Sequence, residues 1–135
     1  MRLFLAPIAA LCLTLSAAPT FAQTNAPSDV ITNQFDAFRD GDLPRAFSYA
    51  SPMLQRYFRT PQNFGFMVQH GYSMVIDPDQ MRMLDAREEG ERVIQRVEVI
   101  DRKGVVHLLD YEMVETEDGW KINGVEFVKA PPMAV

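Results

Sequence analysis

Two side chains of one predicted strand could perform acid–base chemistry. His107 and Tyr111 stand four positions apart, so an extended strand places both on the same face. A neutral imidazole can act as a general base at about pH 6.5, and a phenol can polarise a carbonyl or hydroxyl group. The pair therefore predicts one candidate chemistry, a dehydratase- or isomerase-like reaction that needs no cofactor.

The alternative is that both side chains are structural, packing beside the core or lining a contact between two copies of the chain. No carboxylate on the predicted inward face orients the imidazole of His107. Asp110 is the nearest carboxylate on the strand, and parity points it to the opposite face. The structural interpretation of His107 and Tyr111 is therefore favoured.

Three further residues are predicted to reach the same ligand-binding site. Gln95 alternates with valines on the preceding strand, on the face predicted to point inward. Tyr72 approaches from the helical half of the chain, and Trp120 follows a turn and could cap the mouth of a pocket. With His107 and Tyr111, these residues form the predicted ligand-binding set.

Metal and thiol chemistry are not indicated by the sequence. His70 and His107 are the only histidines, and they lack the spacing of metal ligands. The single cysteine, Cys12, falls within the N-terminal apolar run. We therefore predict no metal site and no cofactor.

The first half of the chain has the periodicity and punctuation of short helices. Val30, Ile31, Phe35 and Phe38 recur at helical spacing behind a predicted cap at Ser28. Three later helices are predicted to carry the apolar side chains around positions 43–49, 53–58 and 64–70, and hydroxyl–proline pairs at 51–52 and 60–61 open the last two.

The second half changes to the period of β-strands. Strands are predicted over 81–87, 93–100, 105–115 and 120–129, with tight turns at 101–104 and 117–119 and a bulge at Gly124. Helices followed by hairpin-linked strands predict an α+β fold in which the helices pack on an antiparallel sheet.

The N-terminus is typical of a cleavable export signal. A single basic residue, Arg2, precedes a run of about 16 uncharged residues, too short for a membrane span. Ala22 with Thr20 suits a signal peptidase, and Ala18 with Ser16 is the alternative site. We predict a signal peptide over 1–22, a disordered leader over 23–27, one domain over 28–129 and a flexible tail over 130–135. The expected location is periplasmic or secreted.

The charge balance limits the predicted partners. Removal of residues 1–22 leaves 12 basic and 18 acidic residues, a net charge of −6. An acidic domain lacks the electrostatic pattern of a nucleic-acid or anionic-lipid binder. We therefore expect no nucleic acid and, after signal cleavage, no membrane as partner.

The order of motifs resembles the cone-shaped nuclear-transport-factor-2-like superfamily, which includes scytalone dehydratase, ketosteroid isomerase and polyketide cyclases. Within it, the chain is most similar to a bacterial family of exported proteins of unknown function. The resemblance covers about residues 28–128 and rests on Gly41-Asp42, Ala46-Phe47, Ala50-Ser51-Pro52, Phe58, Pro61, Phe64, Met67-Val68, Tyr72, Gln95, Val97, Asp101, Gly104, Tyr111, Gly119-Trp120, Ile122, Gly124 and Val125. It implies helices on a strongly curved sheet, a conical pocket and dimerisation across the sheet.

Three functions are compatible with these patterns. The first is non-enzymatic binding of a small apolar ligand or a protein partner, by a domain that forms a homodimer. The second is a cofactor-free enzyme, which requires Gln95, His107 and Tyr111 to meet in one cavity. The third is a structural or accessory subunit whose cone is filled by phenylalanine and methionine side chains.

Export is tested by the N-terminus of the mature protein. When the full chain is expressed in a bacterium, we expect the periplasmic form to begin at Gln23, because signal peptidase requires small side chains at Ala22 and Thr20. Intact-mass spectrometry measures this end directly. The variant Ala22→Arg should accumulate uncleaved, and processing of wild type at any site other than 22/23 would contradict the assignment.

Overall fold

The computed structural model describes residues 26–129, and the predicted signal peptide, most of the predicted leader and the predicted tail lie outside this range. Four helices come first, and the segment then forms a single 3₁₀ turn and four strands. The helices are α1 Pro27–Arg39, α2 Leu43–Ser48, α3 Pro52–Phe58 and α4 Pro61–Gly71, followed by the turn Ser73–Val75. The strands are β1 Gln80–Glu89, β2 Arg92–Ile100, β3 Val106–Thr116 and β4 Gly119–Phe127.

The α+β prediction is confirmed, with helices packed on a curved antiparallel sheet. The strands lie in the order β1-β2-β3-β4, and each pairs antiparallel with the next. Within residues 26–129, no helix has the length and apolar character needed to cross a bilayer.

The predicted cap at Ser28 is wrong, because the N-cap of α1 lies two residues earlier. Ala26 is the N-cap and Pro27 occupies the first helical position, where its missing N–H costs no hydrogen bond. The Asp29 carboxylate accepts a hydrogen bond from the Ala26 amide at 3.1 Å. The predicted hydroxyl caps of α3 and α4 are confirmed, since Ser51 accepts from the Leu54 amide and Thr60 from that of Asn63.

Two register irregularities bend the sheet. In β1 the pairing with β2 shifts between Met83 and Ala86. In β4, Gly124 pairs with Glu112 and Ile122 pairs with Met113, so Asn123 is the extra residue of a bulge. This position is next to Gly124, where the bulge was predicted. Bulges increase local twist and curvature, and these two help the sheet wrap around the helices.

The concave face of the sheet forms half of the core. Its alternating side chains are at most 1% exposed at Val97, Val99, Leu109, Tyr111 and Met113, which confirms the predicted inward parity of β2 and β3. The helices supply the other half through an aromatic cluster around Phe64. Its ring lies within 5.3–5.9 Å, centroid to centroid, of the rings of Phe38, Phe47 and Phe58.

The convex face carries paired charges. Arg96 donates two hydrogen bonds to Asp110 across β2 and β3, at 3.0 and 3.2 Å, and Arg87 adds a contact at 3.7 Å. Arg92 pairs with Glu112 at 3.3 Å. The Arg96 guanidinium, with a partly opposing effect of burial, holds the pKa of the Asp110 carboxyl below its usual value.

The Arg96–Asp110 pair makes stability depend on pH. Because folding lowers the pKa of Asp110, its contribution is present above the unfolded-state value of 3.8 and is lost as the pH falls through the lower folded-state value. We expect Asp110→Asn to reduce the free energy of unfolding by about 1 kcal/mol at pH 7. In urea melts the difference from wild type should shrink below about pH 4. Glu115→Gln, at an exposed acid of the same strand, is the control and should change little.

Candidate functional site

An apolar cavity lies between the helical layer and the concave face of the sheet. Its volume is about 200 Å³. Most of its wall is aliphatic or aromatic, contributed by α1, α3, α4 and β4. The lining residues are Gln34, Phe38, Ala50, Leu54, Phe58, Phe64, Met67, Val68, Tyr72, Val75, Tyr111, Ile122, Gly124 and Val125.

The cavity reaches the surface between α3, the end of α4 and β4. Leu54, Phe58 and Tyr72 on this side are only half-buried. Exposed aromatic rings flank the opening: Tyr57, 77% exposed, lies edge-on to Phe58, and Phe127, 49% exposed, stacks on Tyr72 at 5.1 Å. The opening is therefore rimmed by apolar surface.

Tyr111 is the most deeply buried of the polar residues that line this cavity. The residue is 1% exposed and its ring packs against Phe35 of α1, 6.3 Å between centroids. Desolvation, with a smaller contribution from the neighbouring Tyr72 phenol, raises the pKa of Tyr111 well above its usual value. The phenol therefore stays neutral at physiological pH and can donate a hydrogen bond.

Two further polar groups line the cavity. Gln34 of α1 is 5% exposed, and its Nε2 donates to the Ala46 carbonyl of α2 at 3.1 Å, which fixes the orientation of the amide. The Tyr72 hydroxyl donates to the Val125 carbonyl of β4 at 3.0 Å. Both contacts connect separate elements, so they position the polar atoms as well as the walls.

Ser51 holds the α3 wall against the sheet. Its amide donates to the Ile122 carbonyl at 2.7 Å, and its hydroxyl donates to Asn123 Oδ1 at 2.7 Å. The same hydroxyl accepts from the Leu54 amide and so caps α3. Asn123 in turn donates to Glu112 at 3.0 Å, which connects the bulge of β4 to β3. The bulge therefore provides the anchor for the helix.

The predicted ligand-binding set is divided among three places. Tyr72 and Tyr111 line the cavity. His107 lies at the β2–β3 hairpin, in a separate surface depression with Ser73, Asp101 and Arg102. Its parity is as predicted, but four residues of extended strand separate it from Tyr111, a distance of about 13 Å.

Asp101 is the carboxylate that orients His107. The Nε2 atom of His107 lies 2.9 Å from Asp101 Oδ2, and the Lys103 and Val105 amides donate to the other carboxylate oxygen. The hydrogen bond with His107, followed by that from the Val105 amide, lowers the pKa of the Asp101 carboxyl. Asp101 belongs to the turn before β3, so the alternation of strand residues did not indicate it.

Gln95 and Trp120 lie on another side of the domain, in a depression beside the start of α1. Gln95 pairs with Tyr111 across β2 and β3, but its Nε2 donates to the carbonyls of Leu84 and Arg96, both at 2.9 Å. The Leu84 carbonyl belongs to the irregular stretch of β1, so Gln95 satisfies a backbone group there.

Gln34 is the cavity residue that the sequence interpretation missed. A signal for it exists in the sequence, because Gln34 stands four residues after Val30 and four before Phe38, on the apolar face of α1. A polar residue at such a position must satisfy its amide inside the fold. Among residues 26–129, no group of three or more His, Cys, Asp or Glu side chains is arranged to hold a metal ion.

A helical layer followed by a curved antiparallel sheet is the arrangement of the nuclear-transport-factor-2-like fold. Residues 20–135 match the family described as Domain of unknown function (DUF4864), and the chain belongs to that family. No curated protein matches the chain.

Solved structures are similar in fold. One is a Campylobacter jejuni protein proposed to be an NTF2-like transpeptidase, with 12% identity over 73% of this chain and 98% of that one, and a TM-score of 0.50. Another is TerC crystallised with polyporic acid, with 20% identity over 76% of this chain and 91% of that one, and a TM-score of 0.37. At 12% identity, the likeness to the Campylobacter jejuni protein shows the fold alone.

The anchor at Ser51 predicts a stability difference between two helix caps. Ser51→Ala should lower the free energy of unfolding by about 2 kcal/mol, because it removes a cap and a buried hydrogen bond to the sheet. Thr60→Ala, which removes only the exposed cap of α4, should cost about 1 kcal/mol. Urea melts measure both values, and hydrogen exchange should show faster opening of α3 in the first variant alone. Equal costs with unchanged exchange would contradict the anchor.

Proposed function

We propose that the protein is an exported small domain that binds a small apolar ligand in its cavity, without chemical conversion of the ligand. The observation that carries the proposal is the cavity itself. It has a volume of about 200 Å³, its wall is mainly apolar, and it opens to the surface. Concave apolar sites with a few polar groups are the usual form of a small-molecule site.

The volume limits the size of the ligand. An engineered apolar cavity of about 150 Å³ in another protein binds benzene, so a cavity of about 200 Å³ suits a molecule of roughly six to ten non-hydrogen atoms. A longer ligand would extend through the opening between α3 and β4. There Tyr57 and Phe127 offer further apolar contact.

The geometry favours binding over the two alternatives. Acid–base catalysis by His107 and Tyr111 has lost its geometric basis, since the two do not share one cavity. An accessory subunit with a filled cone would leave no cavity, whereas this cone retains one. Export, the homodimer and the absence of nucleic-acid and membrane partners stay predictions.

Binding is tested with a neutral apolar probe. We expect toluene to bind with a dissociation constant on the order of 0.1–1 mM and to raise the melting temperature of the mature protein. Val125→Trp should abolish this binding, because Val125 lines the cavity near its opening and an indole there occupies the space. Titration calorimetry and ligand-detected NMR measure the affinity.

The matched control is Val105→Trp, which adds the same indole at an exposed position in the β2–β3 connection, away from the cavity. This variant should bind toluene as the wild type does. Binding that survives Val125→Trp, or the absence of any binding to a folded wild-type protein, would contradict the proposal.

A further inference from the structure

The polar atoms of the cavity are few, buried and neutral. Among its described lining residues there is no Asp, Glu, Lys, Arg or His. The polar side chains are Gln34, Tyr72 and Tyr111. A ligand that enters this space meets hydrogen-bonding groups of fixed direction and no formal charge.

Tyr111 supplies a free donor. Within residues 26–129 its hydroxyl takes part in no hydrogen bond, yet no fully buried side-chain polar atom of this part of the chain lacks a partner. The hydroxyl must therefore reach the cavity space. A buried donor without a partner is costly, which favours a ligand whose oxygen accepts this hydrogen bond.

Gln34 and Tyr72 supply acceptors. One N–H of the Gln34 Nε2 is donated to the Ala46 carbonyl, and the Oε1 of the same amide accepts no hydrogen bond within residues 26–129, so it can accept one from a ligand. The Tyr72 hydroxyl already donates its proton to Val125, so its oxygen can only accept further hydrogen bonds. The cavity therefore offers the donor of Tyr111 together with acceptors on Gln34 and Tyr72.

We infer that the ligand is a neutral molecule with a hydroxyl group, an alcohol or a phenol, whose oxygen accepts from Tyr111 and whose proton is donated to Gln34 or Tyr72. This inference rests on the proposed function and specifies the ligand class of the same cavity. A hydroxyl group matches the site because it donates and accepts at one atom.

Other polar groups fit less well. An ether or ketone satisfies Tyr111 but leaves both acceptors unused. A carboxylate also accepts from Tyr111, but its charge is desolvated with no cation in the lining to compensate it, and its oxygens face those of Gln34 and Tyr72. The uncharged lining of the cavity therefore favours neutral ligands over anions.

A matched series of probes tests this order of affinity. Toluene has no polar group, para-cresol adds a hydroxyl, 4-methylanisole an acceptor only, and 4-methylbenzoate a negative charge. We expect para-cresol to bind the wild-type protein about tenfold more tightly than toluene, with 4-methylanisole between them. 4-Methylbenzoate should bind at least tenfold more weakly than para-cresol at pH 7.

The variant Tyr111→Phe removes only the proposed donor. The affinity for para-cresol should fall about five- to tenfold, towards that of toluene, while toluene binding stays within twofold of wild type. Without ligand, its melting temperature should not fall, because the lost hydroxyl has no partner within the described chain. Tyr49→Phe is the control, since that hydroxyl contacts Arg45 and is not part of the cavity wall.

The outcomes separate this inference from the proposed function. If toluene binds but para-cresol is no tighter, or 4-methylbenzoate binds equally well, the hydroxyl-selective site is refuted and the apolar site stands. An equal loss of toluene and para-cresol affinity in a folded Tyr111→Phe protein would also overturn it, because the hydroxyl would then be structural. If no probe binds at all, the proposed function itself fails.

Discussion

The short parallel bridge between Ala50 and Ile122 is the connection on which the cavity depends. The Ile122 amide donates to the Tyr49 carbonyl at 2.9 Å, and the Ser51 amide returns a hydrogen bond to the Ile122 carbonyl at 2.7 Å. Elsewhere the helices contact the sheet through side chains, as where the Tyr72 hydroxyl donates to the Val125 carbonyl. The bridge sets the spacing between α3 and β4, and the cavity is the space left between them.

Charge and polarity are separated by the sheet. The convex face carries ion pairs such as Arg96–Asp110, which water and neighbouring charges stabilise. The concave face carries apolar side chains and the Tyr111 phenol, which is stable there only as a neutral group. The alternation of β-strands produces this separation directly, since adjacent residues of β3 face opposite environments. The fold alone specifies no activity, and the neutral cavity wall is what narrows the choice of ligand.

Local patterns made the elements of the fold predictable. Helical spacing, hydroxyl–proline pairs and strand alternation are properties of neighbouring residues, and they identified four helices and four strands and the inward face of β3. The position of a residue along the cone is a long-range property. Parity therefore placed His107 and Tyr111 on one face but could not show that His107 lies beyond the cavity. The prediction that Gln95 lines the ligand site failed for a similar reason. Its amide donates to the Leu84 carbonyl at the irregular stretch of β1, a contact that the sequence of β2 does not reveal.

The two edges of the sheet are unlike each other. The outer edge of β4 is occupied, since Ile122 bridges to the segment before α3 and the Val125 carbonyl accepts from Tyr72. The edge of β1 has no such cover among the described elements, and its strand is largely exposed and rich in charged side chains. Strand pairing with another molecule is therefore obstructed on β4 at Ile122 and Val125, whereas on β1 the exposed charged side chains are what oppose it.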